Sequence, residues 1–244
     1  MKQMKKNLFL VLAFIAFAVS GSAQVYHYYT NSAPWTGNKS YILNAGLNFD
    51  IVSRDFGSNK SNLNVNPGLA LSFRYEGDKN INERFSWGYQ VEFSYLTQGI
   101  KYDEPVNGST KIRHSDLTWW DLGFDLRLSL SYWINDNIEL QAAAGVFTNP
   151  FFGIKGESYE TTATGAEVAN SRKEEKGSTF KFSTGVSTML QAKYFFNENF
   201  FLSLNIHDNI GVNFFGSEFD EFEKGSKGGQ RGIVMFGIGY KFIR

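Results

Sequence analysis

The chain is 244 residues long, enough for one domain with a sizeable buried surface. It has no cysteine, which excludes disulfides, thiolate metal centres and cysteine nucleophiles together. Its 24 basic and 24 acidic side chains balance, so the charge favours neither nucleic acid nor an anionic membrane surface.

Residues 1–23 differ from the rest. Lys2, Lys5 and Lys6 precede an unbroken apolar run of twelve residues from Leu8 to Val19, and the small residues Ser20 to Ala23 follow. That order predicts a secretory signal peptide cleaved after Ala23, and the run is too short for a membrane anchor, which needs ~20 residues. Cleavage would remove three lysines and no acid, leaving 21 basic against 24 acidic groups, a net charge of −3. Residues 24–38, with Tyr26, His27, Tyr28, Tyr29 and Trp35, are expected to form a periplasmic N-terminal segment, and residues 39–244 the folded domain.

Beyond Asn38 every second residue is apolar over segments of about a dozen residues, and each segment ends in a polar break; period two predicts strands. Tyr41, Leu43, Ala45, Leu47, Phe49 and Ile51 share one face of the first segment. Leu63, Val65, Leu69, Leu71, Phe73 and Tyr75 form that face in the second, and Phe85 to Tyr95 in the third. Trp120 to Tyr132 carry the fourth, Ile138 to Val146 the fifth, Phe180 to Tyr194 the sixth, Phe200 to Phe214 the seventh and Val234 to Phe242 the eighth. High aromatic content, 17 %, fits strands. Eight is an even number, as closed bacterial barrels require.

Volume decides which face points outward. An eight-stranded barrel has room inside only for small filling side chains or one small ligand. The apolar set, rich in Phe, Tyr and Trp, does not fit there, whereas the opposite set of Gly, Ser, Asn and a few charges does. The expected fold is therefore all-β: an eight-stranded antiparallel up-and-down transmembrane β-barrel behind a cleaved signal peptide.

The connections alternate in length. Gly77 to Asn82, Asn135 to Asn137 and Asn197 to Asn199 are short. Ser53 to Ser61, Gln98 to Leu117, Asn149 to Ser178 and Phe215 to Gln230 are longer, which predicts both termini on the periplasmic side and long loops outside. An aromatic girdle of Tyr41, Tyr75, Trp87, Tyr132, Tyr194, Phe200, Tyr240 and Phe242 is expected at the short-turn ends. Asp208 has outward parity and is expected at an interface or on a bulge; Phe147, Phe201, Ile233 and Met235 have inward parity and are expected to plug the ends.

The inward face is expected to carry a polar network of Arg74, Glu92, Asp121, Asp125, Arg127, Glu139, Lys181, Lys193, His207 and Lys241, joined by Asp50. Buried charges need partners, so mutual neutralisation is expected, with Glu92 to Arg127 and Glu139 to Lys193 as pairs.

These residues resemble the small outer-membrane β-barrel domain family, porin-like and eight-stranded, from about Tyr41 to the end. The closing Gly237-Ile238-Gly239-Tyr240-Lys241-Phe242 resembles the last strand that such proteins present to the outer-membrane assembly machinery, with Ile243 and Arg244 added here. The resemblance implies a bacterial outer-membrane location, outer-membrane lipid and that machinery as partners, and no particular chemistry.

Adjacent His114, Ser115 and Asp116 offer catalytic residue types in the third connection, but neighbours in sequence rarely point at one another, so a polar loop is expected there. His27, His114 and His207 show no metal-ligand spacing, so neither metal nor cofactor is expected. The leading expectation is a non-enzymatic structural or interaction protein with a plugged polar lumen and long loops for an unspecified external partner. The alternatives are a narrow pore or transport component for small solutes and, more remotely, a lipid-modifying enzyme or a secreted ligand-binding barrel.

Overall fold

The computed structural model describes residues 37–50, 61–215 and 225–242. The signal peptide, most of the N-terminal segment, Ile51, most of the first connection and residues 216–224 of the seventh lie outside the described residues, while residues 225–230, expected in that seventh connection, are strand instead.

Among the described residues nine antiparallel strands follow in order: β1 (Asn38–Asp50), β2 (Ser61–Asn66), β3 (Gly68–Asn80), β4 (Phe85–Pro105), β5 (Ile112–Asn135), β6 (Ile138–Thr161), β7 (Lys173–Phe195), β8 (Phe200–Phe215) and β9 (Gly225–Phe242). Eight of them close a ring, β1-β3-β4-β5-β6-β7-β8-β9, in which β9 returns to β1 through Tyr41↔Tyr240 and Leu43↔Ile238. β2 stands beside the ring and pairs with β4 through Val65↔Ile100 and Asn66↔Gly99. The second expected strand, continuous from Leu63 to Tyr75, is thus divided at Pro67, whose missing N–H cannot enter a ladder.

The alternation sorts as the volume argument requires. Leu43, Leu128 and Phe236 are 67, 68 and 69 % exposed, while Arg74, Gln90 and Asn205 are wholly buried. Hydrocarbon is the solvent that suits such an exterior.

The three short turns share one device. Asn82 Oδ1 accepts the N–H groups of Arg84 and Phe85 at 2.9 Å each, Asn135 Oδ1 those of Asn137 and Ile138 at 3.0 and 2.9 Å, and Asn197 Oδ1 those of Asn199 and Phe200 at 2.9 and 2.7 Å. A side-chain carbonyl that holds the next two donors imitates a backbone turn, which is why asparagine occupies each of these sites.

At the other end the structure corrects the sequence reading. The third and fifth connections are ladder for most of their length: β4 and β5 stay paired from Leu96↔Asp121 to Pro105↔Ile112, and β5 and β6 as far as Ile112↔Thr161. The actual turns are 106–111 and 162–172. β5 and β6 are 24 residues each, whereas a tilted strand crosses a membrane in roughly 9–11. β2, β4, β5, β6 and β7 therefore continue beyond the barrel as a wall.

Polarity inverts along these strands without a change of parity. On β5 Tyr132 to Trp120 are apolar and outward, and then Thr118, Asp116 and His114 face outward instead. Ser131, Ser129, Arg127, Asp125 and Asp121 are buried inward, and above them the buried set becomes Trp119, Leu117 and Ser115. Ile100, Tyr102 and Ile154 join that upper interior. Where the outer solvent changes from hydrocarbon to water, the preferred exterior changes with it. β6 marks the same level with a bulge between Asn149 and Phe151, at Pro150, which has no N–H to give.

Candidate functional site

The inward side chains of all eight ring strands meet in the lumen. At its centre Glu92 of β4 accepts Arg74 Nε at 3.1 Å and Arg127 Nη1 at 2.6 Å, and the Ser72 hydroxyl also donates to it. Arg74 donates to Asn205 Oδ1 at 3.0 Å and lies 3.5 Å from Glu76, while Arg127 donates to Ser187 Oγ at 2.7 Å and pairs with Asp125 at 2.9 Å. His207 is seated between the two guanidinium groups, with Nε2 3.0 Å from Arg74 Nη2 and Nδ1 3.2 Å from Arg127 Nη2.

Toward the short turns, Lys193 donates to Glu76 at 2.6 Å and to Glu139 at 3.0 Å, and Gln90 links Glu76 to Gln141 at 3.2 and 2.6 Å. Below them Lys241 donates to Asp78 at 3.1 Å and lies over the Trp133 ring at 5.2 Å. Trp133, Phe195, Phe201 and Ile42 form a buried apolar cluster at this end, with the Phe195 and Phe201 centroids 4.8 Å apart. Toward the wall, Arg231 grips Asp121 through both terminal nitrogens at 3.1 and 2.8 Å, and Ala70, Leu96, Ile233 and Met235 form a second apolar cluster. Phe147 is buried as well.

The structure thus brings together nine of the ten expected network residues. The side chains of Lys181 and of Asp50 lie outside the described residues. Glu76, Asp78 and Arg231 were not foreseen: Glu76 followed the last residue given to the second strand, Asp78 was assigned to a turn, and Arg231 preceded the expected start of the last strand. The parity of Arg74 extended by two and four residues was the signal that could have found Glu76 and Asp78.

Around the short-turn end, Tyr41 touches Tyr75 at 5.2 Å and Phe242 at 5.6 Å, Phe242 touches Tyr240 at 4.6 Å, and Tyr240 touches Phe200 at 4.8 Å. Tyr132 packs on Phe85 at 5.0 Å, Trp87 is exposed, and Tyr194 stands opposite Ile138 and Leu202. Asp208 faces outward with no bulge in β8, and Gln230 Nε2 donates to both of its oxygens at 3.0 Å. A concavity of about 1350 Å³ runs along the apolar exterior past Leu43, Phe73 and Phe93.

On the wall, the adjacent trio separates. Ser115 is buried inward, Asp116 pairs with Lys101 on the outer face, and His114 bonds across the sheet to Asp103 and Thr161. Among the described residues no group of three metal-ligating side chains occurs.

No family model matches the chain, and no curated protein matches it. Solved structures similar to it include Ail of Yersinia pestis, 15 % identical over 84 % of this chain and 99 % of that one with a TM-score of 0.42. OprG from Pseudomonas aeruginosa is 14 % identical over 84 and 96 % with a TM-score of 0.41, and Neisserial surface protein A 12 % over 85 and 98 %, also at 0.41. At such identities and scores the likeness says nothing of function, and the fold rests on this chain's own register and burial. Closed ladder, lipid-suited exterior and polar interior make the chain a small β-barrel of the outer-membrane type.

Proposed function

We propose that this protein is a bacterial outer-membrane barrel with a sealed lumen, whose role is structural or interactive and is carried by the wall outside the membrane. The observation that carries the reading is the filled interior: a hydrogen-bonded charge network between two apolar clusters, with the wider polar side chains Arg74, Arg127, Gln90 and His207 all fully buried. Packing of this kind suits eight strands, whose lumen side chains can fill.

The short Asn turns then face the periplasm and the wall faces outward. Outer-membrane lipid wets the exposed apolar band, and the β9 segment Gly237 to Phe242 is what the assembly machinery would read during insertion. The wall formed by the outer ends of β4, β5, β6 and β7 is the surface that an external partner would meet.

Planar-bilayer recording on the purified protein tests the reading. The expected record is flat, without unitary steps. Reproducible ion-selective steps, abolished by bulkier residues in the lumen, would instead establish the narrow pore.

A further inference from the structure

On the outer face of the wall, three side chains far apart in sequence form one hydrogen-bonded chain. Asp103 of β4 and His114 of β5 are direct ladder partners, and Asp103 Oδ1 lies 2.6 Å from His114 Nδ1. On the other side of the ring, His114 Nε2 lies 2.9 Å from the Thr161 hydroxyl at the end of β6. Tyr159, the ladder partner of His114, stacks on the imidazole at 5.0 Å and 29°. The imidazole is thereby fixed in position and plane, and its two nitrogens face different chemistry.

We propose that Thr161, His114 and Asp103 form an esterolytic relay on the wall, acting on water-soluble carboxylic esters with short acyl chains. With Nδ1–H donated to Asp103, Nε2 is the acceptor for the Thr161 proton, which is the arrangement that general-base activation of a hydroxyl requires. Thr161 Oγ then bonds to the ester carbonyl carbon, its proton passes to His114 Nε2, and from there to the departing alkoxide as the ester C–O bond breaks. Water attacks the acyl-threonine through the same imidazole, releases the carboxylic acid and restores the hydroxyl. Thr161 and His114 touch the reacting atoms; Asp103 is a positioning residue.

Two further features suit such a substrate. Ile112, the ladder partner of Thr161, is 40 % exposed and gives an acyl group an apolar rest beside the hydroxyl. Arg172, held by Glu157 and Glu167, lies with its guanidinium 5.3 Å from the Tyr159 ring centroid and so braces the ring that stacks on His114, where the substrate must reach. The site lies beyond the apolar band, where Asp116 and Lys101 are exposed, so a soluble ester reaches it without entering lipid. The inference is independent of whether the lumen conducts.

The test uses the full chain in detergent, p-nitrophenyl acetate as substrate and a fluorophosphonate as covalent probe. The expected result is an adduct that peptide mapping places on Thr161, together with ester turnover lost in Thr161→Val and His114→Gln. Asp103→Asn should lower kcat by more than about tenfold with KM held, because it disturbs orientation and tautomer rather than binding. Thr164→Ala, outside the relay, should leave turnover unchanged. Circular dichroism on each variant confirms that the barrel is intact. A wild-type protein that carries no adduct on Thr161, or turnover that survives His114→Gln, overturns the proposal.

Discussion

Glu92 shows how a charge is made tolerable inside a narrow barrel. Its two oxygens receive Arg74, Arg127 and Ser72, so removing its charge takes a carboxylate from two buried guanidinium groups at once, leaving Arg74 with Glu76 and Arg127 with Asp125. Glu92→Gln should cost about 3–5 kcal/mol, read as a lower urea midpoint for unfolding of the barrel in liposomes. The exposed Lys101–Asp116 pair, both side chains more than half accessible, should matter far less: Lys101→Ala is expected to shift stability by under about 1 kcal/mol in the same assay. The turn asparagines fall between these cases. Asn197→Ala removes the acceptor for two backbone donors at 2.9 and 2.7 Å in a solvated turn, and a loss of about 1 kcal/mol is expected from the same titration.

At the scale of the strand, the inversion of polarity on β5 makes one position lipid-facing and another, of identical parity, water-facing. Leu128→Arg should therefore cost about 2–4 kcal/mol, while Thr118→Arg should be nearly neutral, both measured by reversible unfolding in liposomes. Equal costs at the two sites would remove the boundary placed between Trp120 and Thr118. This inversion is also why the wall was illegible in the sequence. The lower strands announce themselves because apolar means outward in every one of them. At Trp119-Trp120 two apolar residues adjoin, the rule reverses, and the continued ladder reads as a loop bearing scattered Tyr, Ile and Leu. Pro67 hid a break in the same way, since the alternation runs through it undisturbed. The lumen charges were easier to find, because an inward charge between outward aromatics stands out. Glu76 and Arg231 were missed where the strands run on past their last conspicuous aromatic. The contact of His114 with Asp103 and Thr161 depends on register across three strands, which alternation alone does not supply.

For the whole molecule, the interior is arranged in levels: an aromatic floor around Phe201, a lysine level on Glu76 and Glu139, an arginine level on Glu92, and the Arg231 clasp on Asp121 beneath the wall. Seven of the eight junctions in the ring join strands that follow one another around it in chain order, and each is closed by a connection or a short detour such as β2. The eighth, between β1 and β9, joins residues almost two hundred positions apart, as in Tyr41↔Tyr240. A hairpin needs little chain entropy to form, whereas that last seam must gather the two ends of the entire domain. The levels of the interior cannot be fully engaged until it does, since Asn205 bonds Asn44 of β1 and Lys241 of β9 reaches Asp78 of β3. The β1–β9 seam is thus where these polar side chains of distant strands exchange water for one another as hydrogen-bond partners.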